Sequence, residues 1–117
     1  MIDIENLKQF LGSDEGFIAV LMEKFIQEIP KEGKNLKTQA KERDWKRVRA
    51  SSHKMLSSTK IFNLDELTSI LQQIEKFSET QTNLEEIPGL ISKFELYCKK
   101  VLEEMEQSKE VLESEKK

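Results

Sequence analysis

The sequence predicts an all-α fold: an antiparallel up-down-up-down four-helix bundle with an additional short helix at its N-terminus. Three observations lead there. Apolar residues recur at helical spacing along four long segments, with no alternating strand pattern. Only four glycines and two prolines interrupt 117 residues, and Lys, Glu, Leu and Ile are abundant. Short connections between the segments place consecutive helices antiparallel. One domain is expected over residues 1–117, with its core over about 1–105 and a charged helix end over 106–117.

Ile2, Ile4, Leu7, Phe10 and Leu11 form a short amphipathic piece that Gly12 ends. Ser13 suits an N-cap, and Asp14 and Glu15 suit the positive end of the helix that follows. Phe17, Val20, Leu21, Phe25, Ile29, Leu36 and Ala40 give that helix its apolar stripe to about Arg43. The period stays in phase across Pro30 and Gly33, which predicts a kink more than a break. Asp44 caps the next helix, whose stripe is Trp45, Val48, Met55 and Phe62 with small Ser52 and Thr59, ending near Ile61. Asn63 with Glu66 reads as a capping box for a helix carrying Leu64, Leu67, Ile70, Leu71, Ile74 and Phe77. Polar Ser78 to Glu86 is the one evident loop. Pro88 suits a first helical turn, and Leu90, Ile91, Phe94, Cys98, Val101, Leu102, Met105 and Leu112 form the last stripe. Beyond Met105 charges dominate, so that end is expected to protrude or fray.

Several function classes drop out early. The net charge of −3 gives no nucleic-acid or membrane-surface signal. Met1 opens a polar segment instead of a basic-then-apolar leader, and no apolar run is long enough to span a bilayer. One cysteine excludes an internal disulfide and suits a reducing compartment. The expectation is a cytoplasmic monomer with no membrane or nucleic-acid partner. A single His and a single Cys build no zinc site, and no metal or cofactor is expected on this chain. The glycines are scattered, so there is no phosphate loop. Serines beside His53 on one helix lack an oxyanion hole. Cys98 lies on the core stripe and reads as a small buried hydrophobe.

The stretch from Ala50 to Ser58 is what remains. His53, the only histidine, lies about 100° round the helix from Ser52 and so leaves the core stripe for water or a partner. Ala50 and Ser57, one turn to either side, are small enough to let another protein approach the ring. Lys41, Arg43, Lys46, Arg47, Arg49, Lys54 and Lys60 outnumber Glu42 and Asp44 along this segment. Such a run is most often a solvated face. It is also the field that draws an acidic surface or steadies a phosphoryl group.

Arg43-Asp44-Trp45, followed by Arg49 through Leu64, resembles the histidine phosphotransfer (HPt) domain of two-component phosphorelays. His53, Met55, Ser58, Phe62 and Leu64 match that family's pattern, and Phe25 to Pro30 with Leu36 and Ala40 is similar to its second helix; the likeness runs over about residues 1–105. It implies a phosphocarrier without catalysis of its own. In it His53 accepts a phosphoryl group from the aspartate of a receiver domain that itself brings Mg²⁺. Implied partners are a response-regulator receiver and a hybrid sensor histidine kinase, in the same polypeptide or apart from it.

Two departures stand out. The family's lysine three residues after the histidine is Leu56, and its glycine four after is Ser57. Lys60, two turns on and nearly on the same face, offers a substitute cation; Lys54 and Arg49 flank the ring more obliquely. On the following helix, Gln72, Gln73 and Glu75 are the candidates to accept the ring's other N–H and fix its tautomer. The loss at Leu56 motivates a rival reading, a degenerate HPt-like bundle that docks a receiver without being phosphorylated. A plain helical interaction module is a further rival, and it requires an inaccessible ring nitrogen.

Overall fold

The first three helix starts are set by aspartates. In the computed structural model, which describes residues 2–12 and 14–115, Asp3 caps α1 (Ile4–Leu11) by accepting from the Asn6 amide at 3.0 Å. Asp14 does the same for α2 (Glu15–Lys41), from the Phe17 amide at 3.1 Å. Asp44 caps α3 (Trp45–Ile61), as expected, from the Arg47 amide at 3.2 Å. Each bond satisfies one amide that a helix start leaves unpaired. The expected cap at Ser13 lies outside the described residues. Gly12 closes α1 at φ 89, in the left-handed region that favours glycine.

α4 (Asp65–Thr80) and α5 (Ile87–Glu115) follow, with a 3-10 turn over Leu84–Glu86 between them. Among the described residues there is no strand. Facing pairs fix the directions. Gln39 meets Ser51, Glu32 meets Lys54, and Phe25 packs edge-on against Phe62 with centroids 5.5 Å apart, so α2 and α3 run antiparallel. Thr59–Thr68 and Arg49–Glu79 do the same for α3 and α4. Lys37–Glu95 and Lys109–Glu23 do so for α2 and α5. The four long helices thus form a ring in which α3 and α5 lie diagonally, with α1 packed on α2.

Four expectations about helix register and bounds change, and a fifth concerns Trp45. First, Phe17 and Val20 are 46% and 64% exposed, and Ile18 and Met22 are buried in their place. Residues 17–22 are apolar without a gap, so the run fits two registers, and Phe25 and Ile29 select the one that reaches the core. Second, Asn63 is not a cap: it turns left-handed at φ 56, and Leu64 opens α4 with no side-chain cap bond. Third, α4 runs through the expected loop start to Thr80, where buried Ser78 returns its hydroxyl to the Ile74 carbonyl at 2.7 Å. Fourth, the charged segment stays helical and packed through its described residues, 106–115. α5 reaches Glu115, Leu112 is fully buried, and Lys109 binds Glu23 at 2.6 Å.

α2 continues through Pro30 and Gly33. These residues cost a helix interior about 3 and about 1 kcal/mol relative to alanine. At Gly33 there is a packing reason, because a Cβ there would stand 3.0 Å from the Phe94 ring. Trp45, expected in the core, is only half-buried at the bundle's end, with the Arg43 guanidinium 5.9 Å over its ring.

Candidate functional site

On α3 the core-facing residues are Val48, Ser51, Ser52, Met55, Leu56 and Thr59. Ser52 and Thr59 return their hydroxyls to α3 carbonyls, which lets short polar side chains occupy the interior. With that face fixed, His53 is turned outward beside α4, and its side chain is 69% exposed.

Glu75 on α4 meets the ring: its Oε2 lies 2.7 Å from Nδ1. Glu75 is itself only 23% exposed, so it is held in the α3/α4 seam. A carboxylate only accepts, so Nδ1 carries a proton, and in the neutral ring the lone pair is then on Nε2, away from Glu75. Nε2 makes no hydrogen bond among the described residues. The other two ring-orienting candidates do not reach the ring: Gln73 donates to the Ser69 carbonyl at 3.4 Å, and Gln72 is exposed without a bond to it. Helical spacing separates only Gln73 from the other two: Gln72 and Glu75 both share the flank of α4 that carries Thr68 and Glu79, which contact α3, and it is the contact at the ring that selects Glu75.

The cations are distributed differently from the expectation. Lys54 reaches across to α2 and binds Glu32 at 3.1 Å, and the Arg49 Nε lies 3.7 Å from Glu79 on α4. Both charges beside the ring are therefore already paired. Lys60 is exposed and has no ion-pair partner among the described residues. Ala50 and Ser57 are exposed as expected, and the Ser57 hydroxyl makes only a long 3.4 Å bond to the Lys54 carbonyl. Leu56 is 6% exposed. A lysine there would have to thread its methylenes through the seam before its amine reached water.

Among the described residues no cluster of three His, Cys, Asp or Glu side chains could hold a metal ion, and no helix is long and apolar enough to cross a membrane. Cys98 is free and buried, and desolvation pushes its thiol up to about 11. The site is thus a single open imidazole with one nitrogen pinned and the other presented, between two small side chains.

A family model, the Hpt domain, matches residues 20–114. No curated protein and no solved structure matches the chain.

Proposed function

The chain belongs to the Hpt domain family, and we propose that it is a cytoplasmic, monomeric phosphocarrier whose acceptor is Nε2 of His53. Hpt domains are phosphocarriers in phosphorelays and work with receiver domains and kinases. The observation that carries the assignment to His53 is the unbonded Nε2 of an exposed ring, opposite an Nδ1 held by Glu75.

The Nε2 lone pair attacks the phosphorus of a receiver's aspartyl phosphate. The N–P bond forms as the P–O bond breaks, and the bonding pair leaves on the aspartate carboxylate. The ring becomes cationic as it is phosphorylated. Its positive charge and the Nδ1 proton face Glu75, which stabilises this form over the free base. Onward transfer runs the same step in reverse to a second aspartate. Mg²⁺ and most of the transition-state stabilisation are assigned to the receiver, and this chain supplies a positioned nucleophile without autonomous catalysis. Lys60, two helical turns from His53 and with no ion-pair partner among the described residues, is assigned to the phosphoryl oxygens. Ala50 and Ser57 leave room for docking. Exposed Phe10, Phe17 and Val20, at the α1/α2 end, support a receiver-docking surface that extends beyond the histidine.

Incubation with a phosphorylated receiver is expected to give an acid-labile, alkali-stable label on this chain, absent from His53→Gln. A receiver that binds without transferring label would instead identify a docking member of the family that is not phosphorylated. Label retained in His53→Gln would refute the assignment of the acceptor.

A further inference from the structure

Diagonally across the bundle from the histidine, a groove of about 350 Å³ opens between α2 and α5. That volume is on the scale of a small-molecule site, about 300–1,000 Å³. Its walls are apolar. Pro30 and Gly33 present almost no side chain on the α2 wall, and Phe94, Cys98 and Leu102 form the α5 wall. Its rim is cationic: Lys34, Lys37 and Lys99. Lys37 is 3.4 Å from Glu95, so that pair cancels, whereas Lys34 and Lys99 have no carboxylate partner among the described residues.

The charges are placed unevenly along the groove. Because α2 and α5 are antiparallel, with Lys37 beside Glu95 and Glu23 beside Lys109, Pro30 lies level with Leu102 and Lys34 level with Cys98 and Lys99. The Pro30–Leu102 end is therefore apolar, the two ammonium groups without a carboxylate partner, Lys34 and Lys99, face each other mid-groove, and the paired Lys37 and Glu95 close the other end. From Pro30 to Lys37 the helical rise is about 10 Å. That length is too short to seat a partner helix and suits a short acyl chain or a ring with one acidic head.

We propose that this groove binds a small amphipathic carboxylate, its tail on Pro30 and Leu102 and its head between Lys34 and Lys99. Charge complementarity selects the anion, and the dimensions select a small molecule over a peptide or a membrane. The site shares no residue with the surroundings of His53, so it is independent of the relay reading and stands or falls separately.

The test uses the full chain, labelled with ¹⁵N and titrated with sodium decanoate below its micelle concentration. Amide shifts are expected within 30–37 and 94–102, with decyltrimethylammonium at equal concentration leaving those amides in place. Reversing both charges, Lys34→Glu with Lys99→Glu, is expected to weaken decanoate binding about tenfold. Both lysines are exposed, and an unchanged circular-dichroism spectrum shows that the variant is folded. The proposal is overturned if decanoate shifts none of these amides, or if the two amphiphiles act alike. It is equally overturned if the double variant binds as tightly as the parent, or if anionic vesicles bind where decanoate does not.

Discussion

Replacing Glu75 by alanine isolates what the pinned nitrogen contributes. The contact is short, 2.7 Å from Oε2 to Nδ1, a length typical of charge-assisted hydrogen bonds. Bonds to charged groups are worth about 1.5–3 kcal/mol where water is scarce. Here the ring is 69% exposed and the carboxylate 23%, so solvent screens the pair and about 1 kcal/mol is the appropriate size. That is about fivefold in an equilibrium, here the preference for the Nδ1–H tautomer that leaves Nε2 free. Glu75→Ala is therefore expected to move the ring nitrogens toward a mixed-tautomer pattern by ¹⁵N NMR. Single-turnover phosphoryl transfer from a phosphorylated receiver is expected to slow about fivefold. Glu75→Gln should fall between, because its amide oxygen still accepts but carries no charge. If Glu75→Ala leaves both the nitrogen shifts and the transfer rate at their parental values, the carboxylate does not orient the ring.

Three further outcomes follow from the geometry. Lys60→Ala should slow transfer several-fold and flatten its salt dependence, whereas Lys54→Ala should do little because Glu32 already neutralises that charge; the reverse ranking would assign the cation to Lys54. Leu112→Ala should cost about 3 kcal/mol in urea unfolding, as for a filled core position, while a frayed end would lose under about 0.5 kcal/mol. Cys98, its thiol pushed up to about 11 by burial against an ordinary 9.0, should react with iodoacetamide at pH 8 about a hundredfold more slowly in the folded chain than in urea. The rate should climb as pH approaches 11, and equal rates in both states would show the thiol to be open.

Helix existence was legible because it rests on periodicity, and the two features that mark α3 are local: the Asp44 cap and the outward step from Ser52 to His53. What sequence reading missed lies where a local pattern is degenerate or the deciding contact is distant. The unbroken apolar run at 17–22 permits two faces, and only packing chooses between them. Asn63 followed by Glu66 satisfies a capping pattern, yet a left-handed residue does not supply the extended backbone of a cap. The docking of Leu112 depends on a helix nearly a hundred residues earlier in the chain. Likewise the basic run around His53 looks like a free positive field, and the carboxylates that pair two of its cations, Lys54 and Arg49, are Glu32 and Glu79 on other helices.

That pairing bears on how firmly such a site would grip. Glu32, Glu75 and Glu79 each face one of the three basic groups at positions 49, 53 and 54. An incoming phosphoryl group, carrying about two negative charges, would find the two cations flanking the ring, Arg49 and Lys54, already paired, in place of a cationic trap. Weak retention favours release, which is the property a courier needs and a storage site does not.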